Sequence, residues 1–183
     1  MAGTWVANEQ ALLPQAFDET IAAYDSSSNL LIPAIQLGTI AMFRDAGSTG
    51  YGDALFKYVR YTGANGTVTG AAGKVVYSTA TANVVTMDVN ASTPAVVDVA
   101  GYLHTSPSGT GTTTETNQWI QVTGLAVFGT DFMTANAAVG QALKLGGSDG
   151  FLTIAASGDL VRPAAVCVTV HATTGLILLD CVR

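Results

Sequence analysis

Charged side chains are scarce. Asp, Glu, Lys and Arg together supply 11% of the 183 residues, less than half of the roughly 25% typical of a soluble domain. The surface must therefore be drawn from Thr, Ser, Asn, Gly and Ala, a composition suited to permanent contact with other protein. Acidic groups dominate what charge there is, 13 against 7 basic, for a formal net charge of −6. That sign repels polyanions and argues against nucleic acid or an anionic membrane surface as partner. Cysteine is limited to Cys167 and Cys181, too few for a disulfide scaffold and without the companion spacing of a zinc site, so buried free thiols are expected. Long hydrophobic runs are missing too. Although 49% of residues are hydrophobic, no uninterrupted apolar stretch reaches the roughly 18 residues of a membrane span. No charged-then-apolar leader opens the sequence, and cytoplasmic synthesis is the expectation.

Catalytic groupings are equally sparse. Activating a Ser, Thr or Cys nucleophile needs a base, and the two histidines are His104 and His171. His171 falls near a strand end, while His104 adjoins a Ser-, Thr- and Gly-rich loop, a poor support for preorganised geometry. Asp45, Asp53, Asp88, Asp98, Asp149 and Asp159 are scattered singly. Gly146–Gly150, GGSDG, has the composition of a calcium loop without its DxDxDG ligand order. Lys74 ends a glycine-containing turn but is followed by Val75, where a phosphate loop carries a hydroxyl. The expectation is a protein without enzymatic activity, cofactor or metal.

What is present reads as β-structure. QWIQVTGLAVFG (Gln118–Gly129) predicts two short strands bent at Gly124, a residue that marks a bulge or a close backbone approach. Ala54–Tyr61 alternates, with Leu55, Lys57, Val59 and Tyr61 on one face and Phe56, Tyr58 and Arg60 on the other. Aromatic residues on both faces imply burial on both sides or an intersubunit contact. Further strands are expected at Leu37–Phe43, Lys74–Ser78, Asn83–Asn90 and Ala95–Tyr102, and on either side of the turn between Leu145 and Phe151. Thr105–Asn117 reads as an exposed loop, and Asp131–Ala138 as a short helix. The candidate core is Phe56, Tyr58, Val76, Trp119, Ile120 and Val122. Regular short strands predict a mainly β fold, an antiparallel β-barrel or sandwich over residues 37–183. Residues 1–36 are expected to form an N-terminal arm in which Asp18–Tyr24 makes a short helix, with Phe17, Ile21 and Tyr24 on one face. At the C-terminus, Ala164–Ala172 and Leu176–Val182 predict a hairpin with Gly175 in a left-handed turn position. That register sets Cys167 opposite Cys181, with bonding left open.

Five segments carry a resemblance: LGTIAMFRDA from Leu37, FKYVRYTG from Phe56, AAGKVVYS from Ala71, VAGY at Val99–Tyr102 and NQWIQVTGLAVF from Asn117. Together and in this order they resemble the small head-decoration, or capsid cement, proteins of tailed bacteriophages, over roughly Leu37–Ala155. The resemblance implies a structural virion protein, synthesised in the host cytoplasm and carried on the capsid outer surface. It implies binding to the major capsid protein, stabilisation of contacts between neighbouring capsid subunits, and a homo-oligomer, a trimer being favoured. The large apolar residues of the arm, Trp5, Leu12, Leu13, Phe17, Ile21 and Tyr24, are the candidates for capsid or subunit contact. The rival expectation is a β-domain binding module, in which Tyr51, Tyr102 and the Thr105–Asn117 loop contact carbohydrate or a host cell surface.

Overall fold

The computed structural model describes residues 5–7, 21–23, 30–45, 52–63, 70–90, 96–107, 115–129, 137–158, 164–169 and 174–181. These contain thirteen strands and no helix.

A closed barrel is built around β4 (Asp53–Tyr61) and β8 (Thr116–Gln121), which pair antiparallel from Phe56↔Gln121 to Tyr61↔Thr116. β7 (Val96–Tyr102) meets β8 at Tyr102↔Gln121, and β5 (Val75–Thr79) pairs antiparallel with β7. β6 (Val84–Thr86) folds back on β5 and then runs parallel to β4, through Arg60↔Val84 and Tyr61↔Val85. That one parallel pairing makes the five-stranded barrel mixed where a purely antiparallel one was expected. Val59, Tyr61, Val85, Val99 and Ile120 pack in its core.

The same sheet extends past the barrel. β3 (Ile40–Asp45) takes the N-terminal half of the β4 edge that β6 takes further along, and β1 (Trp5–Ala7) adds to β3. β2 (Ile21–Ala22) adds to β8 through Ile21↔Asn117. The helix expected at Asp18–Tyr24 is therefore corrected at Ile21 and Ala22, which are strand, while residues 18–20 and 24 lie outside the described residues. A two-turn helix closes few hydrogen bonds for the residues it fixes. The end of β8 offers an extended chain ready-made partners, including Glu115 O, which accepts from Ala23 N–H at 2.9 Å.

The second sheet is five-stranded and antiparallel, in the order β11 (Leu152–Ile154), β10 (Ala142–Leu145), β12 (Ala165–Cys167), β13 (Thr174–Asp180) and β9 (Thr123–Gly129). Its inner face, which includes Leu143, Leu152, Ala165, Cys167, Ile177 and Leu179, shares one core with the barrel. The loop after β10 fastens the two together. Gly150 N–H donates to Met87 O at 3.1 Å, Asp149 accepts from Val89 N–H at 2.9 Å, and the Tyr77 hydroxyl shares its proton between Ser148 O and Phe151 O. The GGSDG segment is thus a structural plug, with Asp149 employed as a backbone acceptor.

The chain passes between the sheets at Val122, one residue beyond β8, and not at Gly124, which lies inside β9. Gly124 has φ +92°, and a Cβ there would stand 2.9 Å from Ala54 Cβ. The close backbone approach expected of this glycine is present, since any larger residue would separate β9 from β4.

The C-terminal register differs from the expectation. Cys167 faces Ile177 and Ala165 faces Leu179, so Cys181 lies four residues along β13 from the position opposite Cys167, about 13 Å at strand rise. Gly175 is inside β13, opposite Phe128 of β9. Two constraints override the turn chemistry. Val168 and Thr169 N–H both donate to Leu176 O, a bulge that shifts the pairing, and β13 is held by seven consecutive pairs with β9. An even-numbered slip keeps the same side chains facing inward, so the apolar pattern alone does not distinguish the two registers. Both cysteines are buried and no disulfide joins them. The Cys167 sulfur donates to Thr169 O at 3.0 Å, and burial pushes its thiol pKa up.

A second core lies on the opposite face of β4. Phe43, Phe56, Tyr58 and Trp119 cluster there, the Trp119 ring standing edge-on to Phe43 at 5.3 Å and to Tyr58 at 5.2 Å. Of the expected core, Phe56, Tyr58, Val76, Trp119, Ile120 and Val122 are each no more than 2% exposed. Trp119→Ala is expected to cost about 3–5 kcal/mol, the range for emptying a large aromatic site. Urea denaturation checks this, and an unchanged midpoint would contradict the packing described.

Candidate functional site: an apolar sheet face

An antiparallel sheet with one face on the core normally turns polar residues outward. The second sheet does not. In antiparallel strands, directly paired residues share a face, so the register places Leu178 with Val166 and Leu125, Leu176 with Val127, and Val166 with Ala142. All six point away from the core that Ile177, Leu179, Ala165 and Leu143 fill from the other side. Leu178 is 46% exposed, and Val168, just past β12, is 38% exposed. Polar residues appear only at the margins, as Asp180 paired with Thr123 and Lys144 paired with Thr153. A shallow depression of about 400 Å³ lies between Val166, Leu178, Asp180 and Thr123.

This face was legible in one signal that the alternation rule passes over. Leu176–Leu179, LILL, is an unbroken apolar run in a strand otherwise able to alternate, and such runs belong to strands covered on both sides. Other exposed apolar groups lie on the first sheet and before it: Ile40 and Met42 on β3, and Leu30, Leu31 and Ile32, the last 95% exposed.

The residues expected to make contacts are distributed differently. Of the arm, Trp5 pairs through its backbone with Asp45, and Ile21 is partly buried beside Asn117. Leu12, Leu13, Phe17 and Tyr24 lie outside the described residues, as do Tyr51, His171 and most of the segment expected as a helix at Asp131–Ala138. Tyr102, expected as an exposed aromatic, is buried, its hydroxyl donating to Val127 O. The expected loop Thr105–Asn117 ends earlier than predicted, because Thr116 and Asn117 belong to β8 and are buried.

His104 is likewise not at a loose margin. Its Nε2 donates to Gln121 Oε1 at 2.6 Å, and its ring lies 4.9 Å from Tyr102 and 5.5 Å from Phe56. The Gln121 amide nitrogen in turn donates to Thr123 O at 3.0 Å and Leu125 O at 2.9 Å. This chain of bonds fixes the Gln121 rotamer and the Nε2–H tautomer together. It is a clasp between barrel and sheet, with no nucleophile in it. Among the described residues no group of three or more His, Cys, Asp or Glu side chains comes together.

Searches against family models, curated proteins and solved structures returned no match.

The clasp makes stability depend on pH. Desolvation lowers the His104 pKa from 6.5 to about 4, outweighing the opposing hydrogen bond to Gln121. Between those values the unfolded chain binds more protons than the folded one, so stability rises with pH through the window. The contribution is complete above pH 6.5 and is lost as pH falls toward 4, reaching about 2 kcal/mol near pH 5. His104→Gln, which cannot titrate, is expected to lose less stability than wild type between pH 7 and pH 5 in urea midpoints. Equal losses in the two proteins would assign the acid sensitivity elsewhere.

Proposed function

We propose that this protein is a capsid cement protein, one that binds the outer surface of a tailed-phage head and ties neighbouring major capsid proteins together, its own copies associating as trimers. The observation that carries this reading is the outward apolar face of the second sheet, centred on Leu178, Val166 and Leu125. Burying it against protein removes apolar area from water at about 25 cal/mol per Å². With so few charges around it, little of that gain is spent on desolvating ions.

Magnitudes argue for several contacts per copy. Five strands spaced about 4.8 Å apart and averaging about five residues present roughly 400 Å², half of the roughly 800 Å² that each partner contributes to a stable interface. Ile40 and Met42 on β3, with Leu30–Ile32, supply apolar area on other parts of the surface. A small protein with separate apolar contact regions is suited to bridging subunits. The resemblance in Leu37–Ala155 to decoration proteins supports the identity of the partner. The alternative of a carbohydrate-binding module loses one of its two candidate stacking platforms, since Tyr102 is buried.

Co-sedimentation with expanded, decoration-free heads tests the proposal. Wild type is expected to pellet with heads and not with host cells or glycan resin. Leu178→Asp is expected to bind heads at least about tenfold more weakly while its stability changes by no more than about 1 kcal/mol, as for a partly exposed position. Undiminished binding of the variant would remove the second sheet from the interface. Pelleting with cells in place of heads would favour the binding-module reading.

A further inference from the structure

Two adjoining depressions on the barrel, away from the apolar sheet face, share Lys57 and Asn83 as a common wall. One, of about 230 Å³, lies over Val59, Val85, Val99 and Ile120 beside the β5–β6 turn. The other, of about 400 Å³, follows the backbone from Gln36 to Ile40. Together they form a groove whose barrel half has an apolar floor and whose other half is bordered by Gln36, Thr39 and Asn83.

The Lys57 stem runs between two isoleucines, its cross-strand partners Ile40 and Ile120. No Asp or Glu lines either depression. The ion pairs among the described residues are Arg44–Asp53 and Arg60–Glu115, so neither involves Lys57. Several of the surrounding polar groups are already engaged: Thr79 Oγ1 donates toward Thr81 O and Val84 O, Ser78 Oγ to Asp98 O, and Asn83 Nδ2 to Leu37 O. The wall is also fixed in shape. Asn83 adopts φ 58°, in the left-handed region that few non-glycine residues enter, and a Cβ on Gly38 would stand 2.8 Å from its Nδ2.

A single half-buried lysine beside an apolar floor suits a particular ligand chemistry. Phosphate and sulfate are held by forks of guanidinium or by several converging N–H groups, which this groove does not assemble. A monoanion with an apolar tail matches both of its halves. We propose that the groove binds a carboxylate carried on a short apolar stem, with the carboxylate on Lys57 Nζ and the stem over Val59, Val99 and Ile120. The lining shares no residue with the outer face of the second sheet, although Ile40 at its edge is also one of the apolar residues offered for a further contact.

Amide chemical-shift titration of the full chain tests this with three probes: pentanoate, pentanamide, and an acetylated dipeptide ending in a free valine carboxylate. Pentanoate is expected to give saturable shifts at Lys57, Asn83, Val85 and Val99, and pentanamide none. Lys57→Met is expected to weaken pentanoate at least about tenfold, the loss of one charge-assisted bond, while Lys57→Arg retains binding. Tighter binding of the dipeptide than of pentanoate identifies a polypeptide end as the natural source of the carboxylate, and the reverse identifies a free acid. The proposal is overturned if neither acid gives saturable shifts, or if pentanamide binds as well as pentanoate. Wild-type affinity in a folded Lys57→Met protein also overturns it.

Discussion

A buried amide ties the barrel to the second sheet at the point where the chain crosses between them. Gln121 is the last residue of the strand that closes the barrel, and its side chain reaches forward to the carbonyls of Thr123 and Leu125 on the first strand of the second sheet. Tyr102 continues the pattern by donating to Val127 O. Alternate carbonyls along one edge of β9 are thus satisfied by side chains from the barrel. Each would cost about 1–3 kcal/mol if buried without a partner. The arrangement works only while Gln121 holds one rotamer, which His104 enforces from the other end of the amide. The same bonds occupy an edge that would otherwise be open to another strand. On this side the second sheet is thereby closed to edge-to-edge pairing.

Much of this architecture was readable from local pattern. The β4 sequence shows large residues on both of its faces, and the structure buries both, one in the barrel and one against Phe43 and Trp119. Gly124 stands where a backbone comes too close for a side chain. The strands around Val75, Val96 and Leu152 fall within a few residues of where alternation and turn residues placed them. What escaped had non-local causes. The pairing of Ile21 with Asn117 joins residues far apart in sequence, and no short window reveals that the end of β8 has a vacant edge. The parallel return of β6 to β4 depends on barrel closure. The C-terminal register was set by β9 and by a bulge at Val168 and Thr169, both invisible to a turn rule that considers only the hairpin itself.

The candidate site was legible in part and for a similar reason. Periodicity says which residues of a strand share a face but not whether both faces are covered. Leu176–Leu179 defies alternation, and that defiance is the information, since the inner pair packs on the barrel and the outer pair does not. The arm residues attracted attention because they are large and aperiodic. Yet two described parts of the arm, Trp5–Ala7 and Ile21–Ala22, are paired with β3 and β8, where they complete the sheet. His104 was misjudged through its neighbour in sequence, a polar loop, when its environment is set by Gln121, Tyr102 and Phe56 from three separate strands.

The β4–β8 pairing also has a consequence in time. Its first contact, Phe56 with Gln121, joins positions 65 residues apart, and β9 cannot be positioned until that ladder exists. Chains dominated by such distant pairings fold on the order of milliseconds to seconds, because loop entropy is lost before the contacts that compensate for it have formed. During that interval the LILL segment of β13, apolar on both sides, has neither the barrel nor a partner to cover it. Crowding of nascent copies would then favour aggregation over assembly. Slow, dilute production of this chain should therefore yield more folded protein than rapid synthesis, independently of how stable the finished fold is.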